Sequence, residues 1–262
     1  MEESVKFKKS QDFIQSLEKG LNIIKAFSEE TPTLTVSEAA KVTGYSRPTV
    51  RRFLLTLENL GYAESRNGIF SLTAYTLTLG YAYLSTQNIW NIAHPIMRNF
   101  VKQTGESSSI GVLEGTDVMY VARVPTKRIM TINLNVGSRL PANSTSMGHV
   151  LLAHLSEEEL NKYLDYATFE DHTKNSITTK EGLLEELKRV RERGWASVDQ
   201  QLEEGLRSVA APIRNAEGKV IAAINCSTHA GRINKDKLLN EYLPLLLDTA
   251  EKISDSVKYS HN

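Results

Sequence analysis

The sequence predicts an α+β protein of two modules, and three observations carry that expectation. Between residues 35 and 59 a capped helix, a glycine stop and a second capped helix rich in arginine follow one another, and an Asn-Gly turn between two strand-like runs comes next. Further strand-like runs then fall in two groups, separated and flanked by helical stretches; such a pattern indicates an antiparallel sheet covered by helices. The length of 262 residues allows two modest domains, since single cores stop growing before ~300 residues.

Thr35 is the expected N-cap of a short helix over residues 36–43: its hydroxyl meets an orphan amide while Glu38, three residues on, reaches back to the cap amide, forming a capping box. Gly44 supplies the permissive backbone that ends this helix, and Ser46 caps the next, with Pro48 in a first turn where its missing amide does no harm. In the second helix Val50, Phe53, Leu54 and Leu57 form the packing face, while Arg47 and Arg51 lie opposite with Arg52 beside them. Residues 61–65 and 69–72 flank the turn Arg66-Asn67-Gly68, where Asn-Gly favours a primed hairpin. Ahead of these, Leu17, Leu21, Ile24 and Phe27 make a helical stripe expected to roof the pair, closed by Thr31-Pro32.

The whole is a winged helix-turn-helix. Its second helix suits the major groove of double-stranded DNA, with Ser46, Arg47, Thr49, Arg51 and Arg52 as expected contacts and Arg66 at the wing tip. An arginine-decorated surface helix beside an incidental hairpin is the plain alternative; the order of the pieces favours DNA. The net charge of zero does not oppose this. Residues 1–85 carry ten Lys/Arg against nine Asp/Glu, yet the stretch from Ser46 to Asn59 holds three arginines against Glu58 alone, so positive potential is local.

Hydrophobic content of 40% and charged content of 24% are ordinary for a globular protein. No run of ~18 apolar residues suggests a membrane span and no signal sequence precedes the first helix, so a cytoplasmic location is expected. A single cysteine, Cys226, excludes an internal disulfide and reads as a buried small hydrophobe. Residues 1–15 are polar and read as an irregular arm, either a solvated tail or a lysine-bearing DNA contact.

Residues 73–85 form an unusually apolar helical run, with Leu77, Tyr81 and Leu84 on one face, between the two modules. It is expected to pair with a second protomer or to pack back on the wing. A helix from Trp90 to Gln103 opens the second module, followed by strand-like runs at 107–113, 118–124 and 129–136. A loop over residues 137–141 leads through Asn143, Ser144 and Thr145 into a helix. Capping boxes at Ser156/Glu159 and Thr178/Glu181 start two more helices, the latter ending at Gly194; strands at 195–199, 208–213 and 220–227 and a helix after Asn234 complete the chain.

Enzyme signatures are missing: there is no Gly-rich phosphate loop, no nucleophile elbow and no His-Glu-x-x-His. His149 and His154 stand five apart on a predicted helix and so on different faces, as surface or packing histidines rather than a metal pair. No catalytic residue, metal or cofactor is therefore assigned. What does assemble is an anion site: a helix N-terminus at Ser146 offers free amides, and Asn143, Ser144 and Thr145 add polar groups. Arg139 is either a carboxylate clamp or a solvated side chain.

Residues 16–21 (Ser-Leu-Glu-Lys-Gly-Leu), the Ser46-Arg47-Pro48-Thr49 helix start and Leu60-Gly61-Tyr62 resemble the DNA-binding domain of the IclR family of bacterial transcriptional regulators. Gly137…Pro141, Thr145-Ser146-Met147-Gly148, Asp199 with Glu203-Glu204-Gly205, and Ala210-Ala211-Pro212-Ile213 extend the resemblance to that family's effector-binding domain. The resemblance implies a winged helix-turn-helix over residues 13–72, a linker helix over 73–88 that contributes to dimerisation, and a GAF-like effector domain over 89–260. It also implies ligand contacts at Met147, Asp199, Ser208, Asn225 and Ser227. The stretches 199–208 and 223–227 are most similar to regulators of aromatic-acid catabolism through protocatechuate and β-ketoadipate, which implies a small aromatic or dicarboxylic acid effector. A homodimer on an operator is expected, with a tetramer on DNA left open. The rival expectation is a DNA-binding head carrying a catalytic or metal-dependent sensor.

Overall fold

The helix starts expected at Thr35 and Ser46 are both present in the computed structural model, which describes residues 12–86, 89–126 and 134–259. The chain divides into two compact units, residues 1–87 and 88–262, each with its own core.

In the first unit α1 (Gln15–Lys25) precedes β1 (Thr33–Thr35), α2 (Val36–Thr43), α3 (Arg47–Asn59), β2 (Ala63–Arg66), β3 (Ile69–Leu72) and, after a 3₁₀ turn, α4 (Leu77–Thr86). Thr35 Oγ1 accepts the Glu38 amide at 3.3 Å while Glu38 Oε2 accepts the Thr35 amide at 2.8 Å, so the capping box is closed on both sides. Gly44 ends α2 at φ 71°. Asn67 and Gly68 both have positive φ, 53° and 79°, the backbone a primed hairpin turn requires. The three strands pair antiparallel in the order β1-β3-β2. β1 lies outside the expectation because three residues are too few for a period-two pattern to register.

The face that α1 buries also differs. Leu17 and Leu21 are exposed, at 62% and 45%, whereas Ile23 is fully buried and Ile24 and Phe27 pack beside it. α1 packs on α3 through Ile23, with Gly20 beside the Phe53 ring. The helix also stops at Lys25, ahead of a tight turn in which Ser28 and Thr31 bond each other's backbone.

The second unit begins with α5 (Ile89–Thr104) and then β4 (Ser107–Glu114), β5 (Asp117–Val124) and β6 (Arg139–Pro141). A 3₁₀ turn over Ala142–Ser144 leads into α6 (Ser146–Ala153), followed by α7 (Glu157–Tyr166), α8 (Lys180–Arg193), β7 (Ala196–Asp199), β8 (Leu206–Arg214) and β9 (Val220–His229). Finally α9 (Lys235–Lys237) runs through a π-helical turn over Leu238–Tyr242 into α10 (Leu243–Tyr259). Six antiparallel strands lie in the order β6-β5-β4-β9-β8-β7. α6 packs against β8 and β9, and α5 and α10 against β4, β5, β8 and β9. Neighbours along β8 and β9 are buried alternately toward both faces, so helices cover the sheet on each side.

Three details correct the expectation. Of the strand expected at 129–136, residues 129–133 lie outside the described residues, and 134–136 belong to a loop; the strand that pairs with β5 is β6, within the expected loop. The cap of α8 is Thr179, whose hydroxyl accepts the Gly182 amide at 3.1 Å, one residue later than Thr178. α6 is buried at every position, so His149 is a core residue and not a surface one.

His149 Nε2 donates to the Asn143 carbonyl at 2.8 Å, while Nδ1 has no partner among the described residues. Burial holds the His149 pKa below the ordinary 6.5, as it does to the half-buried His154. Each ring stays neutral in the folded chain but takes a proton on unfolding once the pH falls below about 6.5, so stability declines from there downward, by up to about 1.4 kcal/mol per pH unit for each proton. Denaturant unfolding between pH 7.5 and 5.5 should show this decline, and His149→Gln should flatten it; an unchanged slope in the variant would remove His149 from the account.

Candidate functional site

On α3 the buried residues are Val50, Leu54 and Leu57, while Arg47, Arg51 and Arg52 are exposed. Among the described residues none of the three has a carboxylate within 4.0 Å. The hydroxyls of Ser46 and Thr49 lie 2.9 Å apart, and Ser46 Oγ accepts the Thr49 amide at 3.4 Å, so these two residues shape the helix start. Arg66, at the wing tip, has a side chain 86% exposed and only a distant neighbour in Glu64, at 4.0 Å. Glu58, the acid of α3, is occupied: it accepts Ser65 Oγ at 2.6 Å and so ties wing to recognition helix. On the opposite flank Arg52 joins Ser16, Lys19 and Thr56 along a cleft between α1 and α3. An exposed cationic helix with a cationic wing fits the major groove and an adjacent backbone.

The second site is a narrow pocket between the start of α6 and the sheet, with a cavity volume of about 20 Å³. Its apolar walls are Tyr120, Leu134, Leu140, Val198, Leu202 and Leu206; its polar groups are Ser144, Thr145, Ser146, Ser208, Asn225, Ser227 and Arg123. Strand register explains the arrangement. Arg123, Ser109, Asn225 and Ala210 stand opposite one another across β5, β4, β9 and β8, and Ser107, Ser227, Ser208 and Val198 form the neighbouring row across β4, β9, β8 and β7. Small side chains thus line the floor. Ser208 Oγ donates to Ser146 Oγ at 2.9 Å, Asn225 Nδ2 donates to Ser227 Oγ at 3.0 Å, and Asn225 Oδ1 accepts the Ser109 amide at 2.9 Å.

Of the residues expected to touch a ligand, Ser144, Ser146, Ser208, Asn225 and Ser227 line this pocket and four others do not. Arg139 lies on β6, where it donates to Asp117 Oδ2 from Nε at 3.0 Å and to the Glu114 carbonyl at 3.0 Å. Asn143 is turned away, its Nδ2 donating to the Thr168 carbonyl at 2.7 Å. Met147, in the first turn of α6, is fully buried in the core. Asp199 forms a two-pronged ion pair with Arg207, at 2.9 and 3.0 Å; hydrogen bonds from Arg207 and Gln200 outweigh burial and hold its carboxyl below the usual range. Arg123 was missed, although it is the lone cation in the otherwise uncharged run Met119 to Val124. It is half-buried, donates from Nη1 to Ser109 Oγ at 3.0 Å, and burial lowers its pKa.

The described residues contain no group of three or more His, Cys, Asp or Glu that could hold a metal ion. Cys226, on β9, is buried, and burial pushes its thiol well above the usual range. No described helix is long and apolar enough to cross a membrane.

Comparison with known proteins gives the family. Residues 16–66 match the IclR helix-turn-helix domain, and residues 81–255 match the C-terminal domain of bacterial transcriptional regulators of the IclR type. The chain belongs to the IclR family. It is 43% identical over 237 residues to the Pca regulon regulatory protein of Pseudomonas putida, covering 90% of this chain and 81% of that protein. A transcriptional regulator from Rhodococcus sp. RHA1 is 42% identical with a TM-score of 0.85, over 95% of this chain and all of the other. The inducer-binding domain of a PobR double mutant from Acinetobacter, solved with 3-hydroxybenzoic acid, is 31% identical with a TM-score of 0.60, covering 64% of this chain and 98% of that domain. The protein is an IclR-type transcriptional regulator, close to regulators of aromatic-acid catabolism.

For the DNA face, Arg47→Ala or Arg51→Ala should weaken operator binding by about 1–3 kcal/mol where the side chain reads a base, and should weaken all sequences alike where it meets phosphate. Electrophoretic titration at fixed salt checks this. Full operator affinity in both variants would exclude α3 as the reading element.

Proposed function

We propose that this regulator senses a small aromatic acid in the pocket beneath α6 and transmits its presence to DNA as a cytoplasmic homodimer. The observation that carries the reading is the make-up of the pocket. Six apolar side chains face a ring of hydroxyls contributed by Ser144, Thr145, Ser146, Ser208 and Ser227, which suits a flat apolar body bearing polar substituents. A PobR inducer-binding domain solved with 3-hydroxybenzoic acid shares the fold at 31% identity, which supports the same ligand class here. The apolar walls favour an aromatic ring over a straight-chain dicarboxylic acid such as β-ketoadipate. Nothing in the pocket calls for a catalytic role.

Pairing is supported by exposed apolar residues at helical spacing. Phe13, Ile14, Leu17 and Leu21 on and before α1 are 37–64% exposed, and Leu77 and Tyr81 on α4 are 75% and 67% exposed; apolar surface of this kind calls for a cover. A second copy supplies it and sets the spacing of two recognition helices at whole turns of DNA. To regulate, the acid must bind one arrangement of the dimer better than another, since equal affinity shifts nothing.

Calorimetry of the full chain with protocatechuate, 4-hydroxybenzoate and β-ketoadipate tests the effector. At least one aromatic acid should bind near micromolar affinity, about −8 kcal/mol, and be recovered unchanged. Failure of all three rejects the effector class, and turnover of any would favour a catalytic sensor. For the dimer, Leu17→Glu and Leu77→Glu should shift sedimentation toward a monomer; a wild-type monomer that still binds a palindrome with full affinity would rule pairing out.

A further inference from the structure

We infer that Arg123 is the charge anchor of the pocket, taking the carboxylate of an organic acid, so that the acid end of the effector lies beside Ser109 and not at the start of α6. The inference rests on the pocket being the effector site. It begins with an unbalanced charge. A guanidinium stays protonated under any physiological condition, and a half-buried one has lost part of its hydration, so it needs either an anion or a full set of acceptors.

Two other shielded arginines of this unit hold an anion, Arg207 with Asp199 and Arg193 with Glu186 at 2.7 Å, and the half-buried Arg214 has two neutral acceptors, the Gly218 carbonyl and His154 Nε2. Arg123 has neither an anion nor a second acceptor among the described residues. Among the described residues it has no carboxylate within 4.0 Å, and its bond is to the neutral Ser109 hydroxyl. The segment that follows β5, residues 127–133, reads Lys-Arg-Ile-Met-Thr-Ile-Asn and contains no acid that could serve. The counter-charge must come from outside the unit, and Arg123 opens onto the pocket.

The rival anion site, the N-terminus of α6, is partly satisfied from within. Thr145 Oγ1 accepts the Gly148 amide at 3.2 Å, the Thr145 carbonyl accepts the His149 amide at 2.9 Å, and Ser146 Oγ already receives the Ser208 hydroxyl. The Arg123 end, by contrast, is braced yet open: Ser109, which receives Nη1, has its amide held by Asn225, itself held to Ser227. A guanidinium fixed at one nitrogen presents its remaining donors in a plane, the geometry that grips a carboxylate with two parallel bonds. The expected ligand is therefore an acid anion first and a ring second: removing the charge from the ligand or from the protein should cost the same.

The test is calorimetry on the full chain with 4-hydroxybenzoate and its uncharged counterpart 4-hydroxybenzamide, using wild type, Arg123→Gln and Arg123→Lys. Wild type should bind the acid about 30-fold more tightly than the amide, the scale of charge-assisted hydrogen bonds. Arg123→Gln should lose that preference while binding the amide as before, and Arg123→Lys should keep part of it, showing that the site survives substitution. Operator binding without acid should be the same in all three. If Arg123→Gln and Arg123→Lys both bind the acid as wild type does, or if wild type binds acid and amide alike, the anchor is elsewhere although the pocket remains the effector site. If neither compound binds wild type, the effector reading and the anchor fall together.

Discussion

The second unit depends on one close approach. A Cβ built on Gly148 would fall 2.0 Å from the Ala142 carbonyl oxygen, so the first turn of α6 lies directly on the 3₁₀ turn that precedes it. One residue later, His149 donates to the carbonyl of Asn143 in that same turn. A missing side chain and a ring nitrogen thus fasten the turn to the helix from two directions. Ser144, Thr145 and Ser146, which lie between the two fastenings, become the rim of the pocket. Because α6 is buried along its whole length against β8, β9 and α8, this rim has little freedom to shift without disturbing the core.

The opposite wall is secured by charge. Asp199 and Arg207 close β7 against β8, and the loop beyond Asp199 passes through Gln200 at φ 58° before Leu202 reaches the pocket. A residue other than glycine in this left-handed region must be held there by its surroundings. The Gln200 side chain accepts the Gly205 amide at 3.0 Å, Thr173 donates to the Gln200 carbonyl at 2.5 Å, and Ser176 donates to the Gln201 carbonyl at 2.8 Å. Asp199 therefore shapes the site through the loop it starts.

Local chemistry was legible in the sequence wherever it is local. The capping boxes at Thr35 and Ser156, the caps at Ser46 and Asn234, the glycine stops at 44 and 194 and the primed turn at Asn67-Gly68 each depend on a few consecutive residues. What escaped depends on partners far away in sequence. Which face α1 buries depends on where it meets α3, and the short strands β1 and β6 exist because β3 and β5 pair with them. The pocket divides in the same way. Ser144 and Ser146 could be placed because they surround a helix start, and Ser208, Asn225 and Ser227 through the family resemblance, whereas Asp199, Arg139 and Asn143 are claimed by neighbours that only the fold brings near. Arg123 carried a signal, a single cation within an uncharged strand, but its meaning depends on the absence of a nearby acid, which periodicity does not reveal.

The sealed thiol of Cys226 has a practical side. A chain whose native sulfur is buried in a central strand and held protonated is chemically silent toward maleimides and disulfide reagents in its folded state. Any cysteine introduced at the surface would then react alone. Glu64→Cys on the exposed wing and a second cysteine elsewhere on the surface would accept a dye pair without first removing the natural residue, so the wing could be followed by fluorescence with every expected DNA contact kept.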